Sequence, residues 1–158
     1  MLRTLAPLAL ILALPAAAQS TAELKMAATV KAESERHVAL LETLVNQNSG
    51  SLNIDGVTKV GQMVRTELEP LGFKVEWIDM KETGRAGHLI ATHTGNGKGK
   101  RLLLIGHLDT VFEPESPFQK FVRNGDRASG PGIGDDKGGI VVIVAALRAM
   151  LAAGTLKG

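Results

Sequence analysis

The sequence contains no cysteine among its 158 residues, and aromatic side chains are scarce. Without cysteine the protein has no disulfide, no thiol nucleophile and no thiolate metal site, so any metal must be held by His, Asp or Glu. An aromatic content of 3% argues against a surface on which nucleic acid bases stack, and a net charge of +2 argues against attraction to a phosphate backbone. We therefore expect no nucleic acid partner.

A long hydrophobic run is also missing at the N-terminus. The apolar segment there, residues 5–14, is much shorter than the ~20 residues that a membrane-spanning helix needs. Arg3 precedes it and three alanines ending at Ala18 follow it, which is typical of a signal peptide cleaved near Ala18. We expect residues 1–18 to be removed, and the mature protein to be periplasmic or secreted without further contact with the membrane.

Hydrophobic spacing predicts an α/β fold with a central mixed sheet flanked by helices. The predicted helices cover residues 22–46, 57–71 and 138–153, and the predicted strands cover residues 73–79, 87–95 and 101–107. The continuous apolar run in the third strand indicates a position buried on both faces of the sheet. His37 lies among charged residues of the first helix, so we expect it on the surface.

Two polar stretches interrupt this pattern. The third strand runs into "GHLDTVF", where His107 and Asp109 are two residues apart and point to the same side of an extended chain. One of them can bind a metal while the other orients it, although a core histidine and a turn-capping aspartate explain the pair as well. The stretch "GPGIGDDKGG" places Asp135 and Asp136 together before an apolar helix. A helix cap explains one carboxylate, and a bound divalent cation would neutralise both.

Taken together, these stretches resemble the two N-terminal metal motifs of the zinc-dependent exopeptidase and deacylase family. That family includes glutamate carboxypeptidase, acetylornithine deacetylase, succinyl-diaminopimelate desuccinylase and aminoacylase. The motifs occur in the same order, with His107 and Asp135 separated by 28 positions. The amino-acid sequences of both motifs are most similar to those of the secreted glutamate carboxypeptidase branch, and "LVNQNSGSLNIDGV" is similar to the N-terminal segment of the family.

The resemblance implies a site for two Zn²⁺ ions. His107 would ligate one zinc, and the Asp135 carboxylate would bridge both. The peptide bond between Asp135 and Asp136 would be cis. Asp109 would have a catalytic role by orienting His107 from behind. The neighbours Asp136, Lys137 and Gly138 would complete the second motif without ligating metal.

The resemblance also implies a reaction, namely hydrolysis of the amide bond to a C-terminal amino acid, such as glutamate, by a metal-activated water. The substrate would be a small peptide or an N-acyl amino acid, and the full-length enzyme would form a homodimer. No residue here matches the family's general-base glutamate, its later ligands or its dimerisation domain. We therefore expect an N-terminal fragment, residues 19–158 of which belong to an incomplete catalytic domain that is inactive alone.

The sequence is also compatible with other functions. A deacylase or dipeptidase of the same family would share the zinc motifs, and a non-catalytic binding protein could keep the fold. Glu113 and Glu115 follow the first motif and are expected on the surface. His88 and His93 fall in the second strand, where the family motif has no ligand, and are expected to be structural.

Overall fold

The computed structural model describes residues 19–156, so the predicted signal peptide lies outside the described residues. Four α-helices occur in this range: α1 Thr21–Ala32, α2 Ser34–Asn46, α3 Ile54–Leu68 and α4 Lys137–Ala153. Four strands occur in it as well: β1 Lys74–Asp79, β2 Gly87–Thr92, β3 Val122–Asn124 and β4 Arg127–Ser129. No helix of residues 19–156 is long and apolar enough to cross a membrane.

The strands form two separate antiparallel pairs. β1 and β2 pair from Lys74 opposite Thr92 to Asp79 opposite Gly87, and they are the first two strands that the sequence predicts. β3 and β4 form a short hairpin, whose turn contains Gly125 with a φ of 59°. The α/β class is confirmed, with one isolated parallel bridge between Gly50 and Thr110 as the other pairing within residues 19–156.

The core lies between α3, α4 and the β1–β2 pair. Both α3 and α4 bury an apolar face in this core. The buried residues of this core are Leu44, Val60, Val64, Leu68, Leu71, Val75, Ile140, Val141, Val144 and Leu147. Gly154 ends α4 in the left-handed conformation at φ 76°. α4 thus begins at the polar stretch "GDDK" and carries its apolar side chains directly into the core.

The predicted single helix over residues 22–46 is wrong, because the chain breaks at Glu33 into α1 and α2. The Glu33 carboxylate accepts two hydrogen bonds from Arg148 of α4, at 2.6 and 3.1 Å, and this contact coincides with the break. Leu24 and Val30 of α1 are exposed. His37 follows the break by one turn and is largely buried beside Glu33, which contradicts the surface position expected for it.

The third predicted strand is the second departure from the sequence analysis. Residues 101–107 pair with no strand in the described part of the chain, and Leu102 and Leu103 are 81% and 83% exposed. A strand is buried on both faces only inside a sheet that is covered on both sides. The hydrophobic pattern of a sequence shows which side chains are apolar, but it does not show whether neighbouring strands are present. The run is therefore an apolar segment without a ladder, although it still leads directly into His107.

Candidate metal centre

His107 connects the two motifs. Its ring Nδ1 lies 3.2 Å from Asp109 Oδ1 and 3.1 Å from the Asp109 carbonyl oxygen. On the opposite side of the ring, Nε2 lies 2.7 Å from Asp135 Oδ1. The hydrogen bond to Asp135 raises the pKa of His107, burial opposes this shift, and the contacts with Asp109 add to it. The ring is thus held between carboxylates that come from opposite ends of a long connection.

Asp135 and Asp136 take different directions although they are adjacent. The peptide bond between them is cis, as the resemblance implied. Asp135 faces the cavity and its side chain is 85% exposed. Asp136 instead accepts the backbone N–H of His107 at 3.3 Å and precedes the first residue of α4. A Cβ atom at Gly106 would lie 2.7 Å from Asp136 Oδ2, so the absence of a side chain there makes room for this carboxylate.

Lys137 has a structural role that the sequence analysis did not anticipate. Its side chain is fully buried, and Nζ donates at 2.8 Å to the carbonyl oxygens of Leu44 and Gln47. These carbonyls lie at the C-terminal end of α2, where backbone acceptors lack intrahelical donors and a positive charge is favourable. Burial lowers the pKa of Lys137 to about 8. No local sequence signal reveals a contact between residues that are 93 positions apart.

Backbone pairing anchors the first motif to the segment after α2. The Thr110 N–H donates to the Ser49 carbonyl at 2.8 Å, and the Ser51 N–H donates to the Thr110 carbonyl at 3.0 Å. This parallel bridge brings the Ser51 hydroxyl next to Asp109, where it donates a short hydrogen bond to Oδ2. The sequence analysis missed Ser51. The one sequence feature that pointed to Ser51 was the similarity of "LVNQNSGSLNIDGV" to the N-terminal segment of the family.

The connection after the first motif is fixed by amide and carboxylate side chains. The Asn48 side chain donates to the Phe112 carbonyl at 2.9 Å and to Gln119 Oε1 at 2.7 Å. Glu113 accepts the backbone N–H of Leu52 at 3.1 Å and is half-buried, so its expected surface position is wrong. Its near neighbour Glu115 is exposed as predicted. The wall of the site is therefore attached to the N-terminal segment.

A cavity of about 270 Å³ opens in front of the two motifs. Its lining includes Ser51, His107, Asp109 and Asp135, together with the aromatic rings of Phe112 and Phe118, whose centroids are 5.1 Å apart. The remaining histidines expected to be structural lie outside this lining. His88 is exposed on β2, and His93 packs against Phe73 with ring centroids 5.1 Å apart.

The nitrogen and oxygen atoms that face the cavity are of the kinds that bind zinc. An imidazole nitrogen and a carboxylate oxygen are common zinc ligands, and Nε2 of His107 and Oδ1 of Asp135 converge at the same point. His107 Nδ1 faces a carboxylate from behind, which is the usual arrangement of a zinc-binding histidine. Residues 19–156 contain no group of three or more His, Cys, Asp or Glu side chains that could hold a metal ion.

Comparison with known proteins shows what this chain is similar to. Residues 103–158, which include both motifs, match Peptidase family M20/M25/M40. The chain is 36% identical over 115 residues to Carboxypeptidase G2 from Pseudomonas sp. (strain RS-16). That alignment covers 70% of this chain but only 27% of Carboxypeptidase G2.

The family match and the identity to Carboxypeptidase G2 confirm the resemblance to the M20/M25/M40 peptidases seen in the two motifs. It spans about a quarter of the length of the relative it matches. The activity of the whole protein is therefore a matter for proposal.

Proposed function

We propose that this chain supplies the first part of the active site of a zinc-dependent metallopeptidase, a carboxypeptidase that releases a C-terminal amino acid such as glutamate. The observation that carries the proposal is the His107 ring, which spans from Asp109 to Asp135 at the wall of an open cavity. The similarity to a carboxypeptidase over most of the described chain supports the reaction class. The substrate would be a small peptide or an N-acyl amino acid.

The described residues would have distinct roles in this proposal. His107 would ligate one of two Zn²⁺ ions through Nε2, and Asp135 would bridge both. Asp109 would keep the His107 ring oriented through Nδ1. Bound zinc would supply an activated water and polarise the substrate carbonyl. Asp136, Lys137 and Gly138 would hold the loop in place without contacting metal.

We infer that the general base and the remaining ligands are not among the described residues. With one imidazole and one carboxylate at the site, we propose that residues 19–158 alone do not catalyse hydrolysis, and that the missing groups lie in the part of the family's length that the alignment does not cover. Dimerisation would also belong to the longer protein. The pattern of residues 1–18 supports export to the periplasm or the medium.

Zinc binding by the 158-residue chain tests the proposal directly. The wild type, Asp135→Ala and Asp126→Ala are dialysed against Zn²⁺, and the bound metal is measured by mass spectrometry. Asp126 lies in the exposed turn of the β3–β4 hairpin and serves as a matched control for loss of one aspartate. We expect Asp135→Ala to weaken zinc binding by more than about 10-fold, because a ligand contributes at least as much as the groups behind it.

Two results would contradict the proposal. Asp135→Ala could retain the zinc content of the wild type, which would remove Asp135 from the site. The purified chain could also hydrolyse peptides in a chelator-sensitive reaction, which would contradict the statement that it lacks catalytic groups. Asp126→Ala is expected to match the wild type, so a general effect of charge on metal uptake can be separated from loss of a ligand.

A further inference from the structure

Ser51 is held rigidly beside the first motif. Its backbone N–H is bonded to the Thr110 carbonyl, and the preceding residue forms the parallel bridge with Thr110. Ser51 also lines the cavity that contains His107 and Asp135. The backbone position of Ser51 is therefore fixed by these contacts with Thr110.

The Ser51 hydroxyl starts a line of contacts that ends at the cavity. It donates to Asp109 Oδ2, and the other carboxylate oxygen, Oδ1, lies 3.2 Å from His107 Nδ1. In the residues 19–156, Ser51 is the only side chain that donates to Asp109 Oδ2. The Thr110 carbonyl lies 3.3 Å from the same hydroxyl, but an ionised carboxylate is the stronger acceptor and the nearer one.

We propose that Ser51 is a positioning residue of this site, acting on His107 through Asp109. A carboxylate with one oxygen fixed cannot rotate without breaking a charge-assisted hydrogen bond. The second oxygen therefore stays directed at Nδ1, and Nε2 stays directed at Asp135 and the cavity. The consequence for metal binding rests on the proposed function, whereas the orientation of the ring does not depend on it.

Three variants of the 158-residue chain test this role. Ser51→Ala removes the hydroxyl, and Ser51→Thr keeps it with one added methyl group. Ser49→Ala is the matched control, because Ser49 is a fully buried serine two residues away whose hydroxyl has no hydrogen-bond partner in the described residues. Both alanine variants thus lose a serine hydroxyl from the same segment, but only the hydroxyl of Ser51 contacts Asp109.

The first measurement uses the metal-free protein with ¹⁵N-labelled histidine. The Nδ1–H proton of His107 is expected to give a downfield, slowly exchanging resonance in the wild type, in Ser51→Thr and in Ser49→Ala. In Ser51→Ala the resonance is expected to move upfield and broaden, because Asp109 is no longer fixed. The second measurement is competition for Zn²⁺ with a chromophoric chelator. Groups behind a ligating histidine contribute roughly 10- to 100-fold to metal affinity, and we expect a loss near 10-fold for Ser51→Ala.

The outcomes separate this inference from the proposed function. If Asp135→Ala keeps the Zn²⁺ affinity of the wild type, the proposed function is contradicted, while the Nδ1–H resonance still decides the role of Ser51. If Ser51→Ala retains the wild-type resonance, the positioning role is overturned. It is also overturned if Ser49→Ala loses the resonance to the same extent, since the effect would then come from disturbance of the segment.

Discussion

A single methyl group added at Gly132 should destabilise the loop that carries Asp135. Gly132 has a φ of 79°, and a Cβ atom there would lie 2.7 Å from Thr110 Cγ2 and 3.1 Å from Lys137 Cδ. Thr110 and Lys137 are both buried, so neither side chain can swing into solvent. The left-handed backbone costs an alanine ~1–2 kcal/mol, and overpacking of a filled site costs a further ~1–3 kcal/mol.

One opposing effect is the lower backbone entropy of alanine in the unfolded chain, which favours the variant by only ~0.4–1 kcal/mol. The steric terms are larger, so we expect Gly132→Ala to lose about 2–4 kcal/mol in the free energy of unfolding. Gly134→Ala is the control in the same loop, because a Cβ atom there meets nothing within 4 Å and φ is not positive. We expect that control to be unchanged or slightly more stable.

The assay is urea denaturation of the 158-residue chain, followed by circular dichroism. Equal midpoints and slopes for Gly132→Ala and Gly134→Ala would refute the reasoning, since the two variants differ in packing and φ but not in the residue introduced. A lower midpoint in both variants would also refute it. The loop would then be sensitive to any alanine rather than to the close approach at Gly132.

Two further predictions concern the break between α1 and α2. Arg148→Met is expected to lose about 1–2 kcal/mol of stability in urea denaturation, because the paired hydrogen bonds to the half-buried Glu33 carboxylate are lost; a Glu33→Gln double-mutant cycle that gives no coupling would contradict this. Burial lowers the pKa of His37, so the unfolded chain binds more protons below its ordinary value of 6.5, and stability is expected to fall as the pH drops through that region. His37→Gln should remove that part of the pH dependence in denaturation curves, and identical slopes in variant and wild type would count against it.

Helices and hairpins were predictable from the sequence because their signals are local. The apolar stripe of α3 repeats at helical spacing, and an Asn-Gly pair marks the turn after β3. The break at Glu33 was not predictable from the same signals, because a strong helical pattern continues through it. The contact that coincides with the break comes from α4, 115 positions away in the chain.

The residues of the candidate site also differ in whether the local sequence could reveal them. His107, Asp109 and Asp135 were identified because their motifs are short and their residue types are typical of metal chemistry. Ser51 and Lys137 were not identified as contacts of the site, because each acts through an atom of a distant segment. Serine and lysine are also common surface residues, so composition gave no reason to select them.

The exposed apolar run before His107 explains why these distant contacts matter. A histidine at the end of a strand is normally fixed by the ladder on either side of it, but residues 101–107 pair with no strand in the part of the chain that the structure describes. Three contacts take over that function: Asp136 holds the His107 N–H, Asp109 holds the ring, and the bridge at Thr110 holds the chain that follows. Asp136 lies in the loop before α4, the bridge partner Gly50 lies in the segment after α2, and Asp109 is itself held by Ser51 of that segment. The geometry of His107 is therefore determined by these two segments, so changes at Ser51 or Gly132 should alter the site more than changes in the apolar run itself.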